Sequence, residues 1–182
     1  MAVAMKEQIK NYTSLKVHIV PATEKDTLKI IEIINNEAQR SGAVLAVSQS
    51  EVSAWIKQGL SIIAKTDSGE IVGHNSASTW PKSGWVELRA AVVLPEYRGN
   101  GINVALKSAI IDLIKSKNPQ ATIVAVKNAS SSGRNVLTES GFKQMPQSEA
   151  PQELFGIGPV GEVYDIFVYA PSKSDVKGLM RT

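Results

Sequence analysis

Apolar residues recur along this chain with two different periods, and the points where the period changes mark out the elements. Residues 15–20 alternate weakly, as a strand does, and Pro21 closes the run because proline has no N–H for a ladder. Thr23 with Asp26 makes a capping-box start, and Leu28, Ile31, Ile34 and Ala38 then give a helix one apolar face, ended by Ser41-Gly42. Ser48 with Glu51 opens a second, short helix carrying Val52, Trp55 and Ile56, and Gly59 stops it. Residues 60–65 and 71–80 read as two strands on either side of the turn Thr66-Asp67-Ser68-Gly69-Glu70, and predict a hairpin. A turn over 81–84 leads into a third strand of that meander, 85–93. Helical spacing resumes with Ile102, Leu106, Ala109, Ile110, Leu113 and Ile114 and predicts a helix over 101–117, broken at Asn118-Pro119. Residues 121–126 read as a buried strand. A last helix starts at Ser130 or Ser131 and runs to Ser140, with Gly141 as its closing glycine. Residues 144–161 read as a long loop or irregular strand, and 162–169 as the final strand.

This order predicts an α+β fold: a mixed, mostly antiparallel sheet flanked by helices, with a parallel element where the central helix crosses over. There is no internal repeat and no interdomain linker. The expected organisation is an arm over 1–14, a single domain over 15–170 and a polar tail over 171–182.

Composition narrows the function classes. The chain has 182 residues, 43% apolar and 20% charged, which is enough for one domain with a sizeable core. It has no cysteine, which excludes disulfides, thiolate metal sites and a cysteine nucleophile. No metal site is expected. No apolar run is long enough to span a membrane, and 1–14 lack a signal-peptide core, so a cytoplasmic protein without membrane contact is expected. A net charge of +3 without a basic run gives no reason to expect nucleic acid, and suits an anionic small molecule.

The candidate chemistry sits at Val92-Val93-Leu94-Pro95-Glu96-Tyr97-Arg98-Gly99-Asn100-Gly101-Ile102-Asn103. It reads as a strand end, a glycine-bearing turn and the first turn of a helix. Two glycines free the backbone to turn sharply and to approach a ligand closely. The helix start offers uncommitted N–H groups and the positive end of the dipole, with Arg98 beside them. That combination suits a phosphate or diphosphate. Two other patterns carry less. Gly156-Ile157-Gly158-Pro159-Val160-Gly161 satisfies GxGxxG but leads into a strand, where a dinucleotide fingerprint must open a helix. Lys107-Ser108 follows the glycine turn, but Leu106 stands where a phosphate loop needs glycine.

The stretch Glu87-Leu88-Arg89 followed by 92–102 resembles the acetyl-CoA motif of the GNAT superfamily of acyl-CoA-dependent N-acyltransferases, and the element order resembles a GNAT domain over 15–169. The resemblance implies acetyl-CoA as co-substrate. It implies a cofactor site built from Val92, Val93, Leu94, Arg98, Gly99, Asn100, Gly101, Ile102 and Asn103, with Ser130 on the last helix. The sequence departs from the family pattern at Glu96, where Gln or Arg is frequent, and at Asn103, where Gly is common. In the last helix Ser130 stands in an Asn place, and Leu137 stands where a Tyr often protonates the departing thiolate.

The implied activity is N-acetyl transfer to a primary amine of a small molecule or peptide. The alternative is a GNAT-like module that binds an acyl-CoA without transferring anything. Glu87 is the first candidate base, because several GNAT enzymes place a glutamate near the start of this strand. The plain alternatives for it are a same-face ion pair with Arg89 or an exposed carboxylate. Glu162, Asp165 and His74 are further candidate bases, and Tyr164 or one of Ser130 to Ser132 is the candidate proton donor. The acceptor pocket is expected between 39–47 and 144–161, where Arg40, Glu149, Glu153 and Glu162 carry the nearby charge. The identity of the amine, the acyl chain length and the choice between monomer and homodimer stay open.

Overall fold

The computed structural model describes residues 8–12, 15–128, 134–151, 154 and 164–170. They form two compact units, Met1–Ser78 with Arg89–Gln120, and Thr79–Leu88 with Ala121–Thr182.

The first unit holds strands β1 (Gln8–Tyr12), β2 (Leu15–Pro21), β3 (Ser61–Thr66), β4 (Ile71–Thr79, but for its last residue) and the second half of β5 (Val86–Val93). β1, β2, β3 and β4 pair in sequence order, each antiparallel to the last. The arm expected ahead of residue 15 thus contributes an edge strand, Gln8 opposite Ile19 through Tyr12 opposite Leu15. Helices α1 (Thr27–Ser41), α2 (Gln49–Lys57) and α3 (Ile102–Lys117) complete the unit.

Both predicted capping boxes form. Ser48 Oγ accepts from the Glu51 N–H while the Glu51 carboxylate accepts from the Ser48 N–H at 2.8 Å. Asp26 accepts from the Thr23 N–H at 2.8 Å and opens a single 3-10 turn ahead of α1. The apolar face of α1 differs from the expected one. Leu28 is 73% exposed, and the buried stripe is Ile30, Ile33, Ile34 and Glu37. A polar Thr27 and an acidic Glu37 both lie on the core side, which is what hid the true face.

Successive side chains of β4 point to opposite faces, and each face meets a different helix layer. A Cβ on Gly73 would lie 3.0 Å from Leu106 Cδ1 and 3.2 Å from Val92 O, so α3 packs here only because no side chain intervenes. The next residue, His74, faces the other way and stacks on Trp55 of α2, with ring centroids 6.2 Å apart. That face holds a core of Ile30, Ile33, Ile34, Val52, Trp55, Ile63 and Val92.

The main irregularity lies in β5. Ala90 has φ +49°, a left-handed value that non-glycine residues rarely adopt. A kink of this kind removes carbonyls from their ladder partners. Two buried side chains of β4 take over. His74 Nδ1 lies 2.9 Å from Ala90 O, and Ser76 Oγ donates to Arg89 O at 3.0 Å. A carbonyl can only accept, so Nδ1 carries the imidazole proton and Nε2 accepts from Ser61 Oγ at 3.0 Å.

In the second unit the first half of β5 runs parallel to β6 (Ile123–Asn128), from Val86 opposite Ile123 to Leu88 opposite Ala125. β6 pairs antiparallel with β8 (Tyr164–Tyr169), and β8 with β7 (Phe142–Met145). β7 begins directly after the predicted helix end and runs into the stretch read as a long loop or irregular strand. Phe142 is fully buried and packs tilted against Tyr169, ring centroids 5.4 Å apart, which draws the chain into the sheet directly after Gly141. α4 (Arg134–Glu139) packs on β7. Val124, Leu154 and Val168 form a small core with Trp80 and Trp85 against it. The fold is α+β with a mixed, mostly antiparallel sheet, as expected. No helix among the described residues is long and apolar enough to cross a membrane.

Two outcomes are expected from these contacts. Gly73→Ala should destabilise by about 1–3 kcal/mol in a urea melt, because backbone Val92 O cannot move aside without shifting β5. His74 is fully buried, and burial drives its pKa down to about 4 against the bond to Ala90 O, which favours protonation. The unfolded chain therefore binds a proton in the window from 6.5 down to 4 that the folded chain refuses. Stability should fall as pH drops through that window, by about 3 kcal/mol in all. Urea melts of His74→Gln should lose that part of the slope, and an unchanged slope would contradict the assignment.

Candidate functional site

The strand end, turn and helix start all lie in the first unit. Beyond the kink, Val92 and Val93 are buried, and Leu94 N–H donates to Val72 O at 2.9 Å. Pro95 then starts a 3-10 turn, Pro95–Tyr97. Gly99 (φ +79°) and Gly101 (φ +71°) are both left-handed, which is the conformation that lets the chain reverse and enter α3 at once. The first helical hydrogen bond runs from Ala105 N–H to Gly101 O at 3.0 Å. The N–H groups of Ile102, Asn103 and Val104 precede it and have no carbonyl inside the helix. They gather at the positive end of a helix of 16 residues.

Side chains hold this turn from several directions. Asn100 Nδ2 donates to Tyr97 O at 3.1 Å and Arg98 O at 3.3 Å, closing the loop on itself. Tyr97 donates its hydroxyl to Glu70 at 2.7 Å, tying the turn to the β3–β4 hairpin. That bond to a carboxylate, together with the neighbouring negative charge, raises the tyrosine pKa. Arg98 Nε donates to Val93 O at 2.9 Å, and an Nη donates to Glu37 at 2.8 Å. Asn103 Oδ1 accepts from Lys107 Nζ at 3.1 Å, one turn along the helix. The turn offers backbone donors to an anion, and the guanidinium of Arg98 is already engaged with the strand and with α1.

The expected catalytic side chains lie in the second unit. Glu87 is only 4% exposed, and its carboxylate accepts from Trp80 Nε1 at 3.0 Å. It is thus a buried, hydrogen-bonded acid rather than an exposed one, and the kink at Ala90 interrupts the regular alternation that aligned it with the later strand residues. Tyr164 begins β8 opposite Asn128 and is half-buried. Asp165 accepts from Gln144 Nε2 at 2.8 Å. Leu137 is 1% exposed and is a core residue of this unit. Ser130, Ser131, Ser132, Glu153, Glu162 and the 156–161 glycine pattern lie outside the described residues. His74 has both ring nitrogens bonded inside the protein and is neutral near pH 7, which fits a structural rather than a catalytic histidine.

Sequence reasoning missed Glu37. It is buried beside the turn and accepts from Arg40 Nε at 3.0 Å, Arg40 Nη2 at 2.9 Å, Ser41 Oγ at 2.8 Å and Arg98. Burial alone would raise its pKa, but the bonds from Ser41, Arg40 and Arg98 outweigh that and hold it below the usual glutamate range. The available signal was an acidic residue at helical spacing from Ile30, Ile33 and Ile34 on the core-facing stripe of α1.

Comparisons with known proteins agree with this geometry. No curated protein sequence matches the chain. Among solved structures, N-acetylglutamate synthase from Neisseria gonorrhoeae, complexed with coenzyme A and N-acetyl-glutamate, is similar at TM-score 0.69 and 20% identity over 86% of this chain. This chain spans only 35% of that enzyme's length. Diaminobutyrate acetyltransferase from Paenibacillus lautus, in complex with L-2,4-diaminobutyric acid and coenzyme A, matches at TM-score 0.66 and 19% identity, over 87% of this chain and 96% of its own. A putative acetyltransferase from Salmonella typhimurium with its cofactor acetyl-CoA matches at TM-score 0.62 and 22% identity, over 84% and 91%. At these identities the structures attest the fold. The family model for the acetyltransferase (GNAT) family matches residues 30–142, more than half of the chain and all of the glycine turn, and the chain belongs to that family.

Proposed function

We propose that this protein is an N-acetyltransferase that moves the acetyl group of acetyl-CoA to a primary amine of a small molecule or peptide, by direct attack in a ternary complex. The observation that carries the reading is the left-handed pair Gly99 and Gly101 delivering the N–H groups of Ile102, Asn103 and Val104 to one place, directly after a kinked strand. In this reading those donors, with Asn100 shaping the loop, hold the diphosphate of acetyl-CoA. The strand end Val92 to Leu94 guides the pantetheine arm, and Ser130 contributes a further contact to the cofactor. The thioester supplies an activated acetyl group. Residues 15–170 serve as one acetyltransferase domain. The similar structures that hold N-acetyl-glutamate or diaminobutyric acid support a small amine acceptor.

The chain's own tasks follow from the chemistry. An alkylammonium with a pKa of roughly 10.4 is only about one part in a thousand neutral near pH 7, so a proton must be removed before attack. Glu87 is the proposed base, directly or through water. Its burial and the Trp80 bond fix the carboxylate in one orientation. Tyr164 is the proposed donor to the departing thiolate, the role that Leu137 cannot fill. Fixed placement of the reacting groups supplies several kcal/mol, up to ~7–11 in ideal systems. A second reading, a non-catalytic acyl-CoA sensor, rests on Leu137, an apolar core residue where a hydroxyl is frequent.

Both readings are open to direct measurement. Isothermal titration should detect acetyl-CoA binding, and its absence at millimolar concentration would end both. Gly101→Val should weaken that binding by at least about tenfold while far-UV circular dichroism stays unchanged, since a β-branched residue resists a left-handed backbone. Glu87→Gln still accepts from Trp80, so acetyl-CoA affinity should hold while free-CoA release with an amine panel falls about 10²-fold. Release that stays at the hydrolysis background for every amine with the unaltered protein would favour the sensor.

A further inference from the structure

Arg98 and Glu37 connect three parts of the first unit that are distant in sequence. Arg98 Nε is fixed on Val93 O at the end of β5, and its Nη2 reaches Glu37 Oε2 at 2.8 Å. Glu37 Oε1 takes Arg40 Nη2 and Ser41 Oγ, and Ser41 Oγ in turn accepts from the Ala43 N–H at 3.1 Å. The loop that Ala43 begins is tied at its far end as well: Asn35 of α1 donates to Val47 O at 3.2 Å and accepts from Val47 N–H at 2.8 Å. One buried carboxylate thus links the glycine turn to the last turn of α1 and to the loop 42–47.

On the acetyl-CoA reading above, we infer that Glu37 is a positioning residue: acting through Arg98, it sets the glycine turn for the cofactor and couples cofactor binding to the order of the loop 42–47. Two features single out this pair. A planar guanidinium can bind Val93 O and a carboxylate together in a fixed fork, which a lysine cannot reproduce. Glu37 is buried, so removing either partner leaves a charge or a donor without its complement, and the turn then relaxes. Because the loop 42–47 hangs from the same carboxylate, whatever steadies the turn also steadies the loop. The loop 42–47 carries no charged residue, and Arg40 just ahead of it is held on Glu37. An amine entering beside it would meet a loop already ordered by the bound cofactor.

The test uses the full chain and coenzyme A as the probe. Coenzyme A affinity is measured by titration for the unaltered protein, Glu37→Gln, Arg98→Lys and the double variant. Each single change should weaken binding about tenfold, and the double should be no weaker than the worse single, since both break one link. Amide hydrogen exchange is then read over 42–47 with and without coenzyme A. Binding should slow exchange there about fivefold or more in the unaltered protein, and not in Glu37→Gln at a saturating concentration of coenzyme A. Thermal melts guard against misfolding, and Arg98→Lys gives a second route to the same link should Glu37→Gln fail to fold. Additive effects in the double variant, or equal slowing of the loop in Glu37→Gln, would overturn the inference while leaving the cofactor site intact. An unaltered protein that does not bind coenzyme A would overturn the acetyl-CoA reading and this inference with it.

Discussion

A strand that kinks within a sheet must find new partners for the carbonyls it takes out of the ladder. In β5 those carbonyls belong to Arg89 and Ala90, and the partners are Ser76 and His74 of the neighbouring strand. Both side chains are fully buried, and His74 is itself fixed by Ser61 and by stacking on Trp55. The left-handed Ala90 is therefore held by its surroundings rather than by any preference of its own. What leaves this point is a strand end with a defined direction, Val92 to Leu94, aimed at the glycine turn.

The turn inherits that direction. Leu94 N–H on Val72 O keeps the strand end on the sheet, Tyr97 ties the 3-10 turn to the hairpin at Glu70, and Arg98 ties it to α1. These three bonds fix the chain that leads into Gly99 against β4, the β3–β4 hairpin and α1. The family model spans residues 30–142 and so takes in the whole of this turn.

Local chemistry is what the sequence made legible. Capping boxes at Thr23 and Ser48, the hairpin at Thr66 to Glu70, and the glycine turn into α3 each depend on a few adjacent residues, and each formed where the pattern placed it. Features that depend on distant partners stayed hidden. The face of α1 was misread at Leu28 because Glu37 occupies a core position, where bonds from Arg40, Ser41 and the distant Arg98 make it tolerable. Ala90 gave no sign of a kink, since alanine has no liking for positive φ and the cause lies in His74 and Ser76. Pattern alone does not tell the short β7 from a loop or an irregular strand, because its pairing with β8 and the burial of Phe142 are long-range facts. Glu87 was placed on the right strand, but its burial and its bond to Trp80 come from a turn that pattern alone does not orient.

The central claim is that bare backbone between Gly99 and Val104 holds the diphosphate of an acyl-CoA and so points its thioester along the end of β5. A crystal structure with coenzyme A bound tests it most directly. The account predicts diphosphate oxygens within hydrogen-bond distance of the N–H groups of Ile102, Asn103 and Val104. Density for the cofactor elsewhere, with this corner filled by side chains, would contradict it.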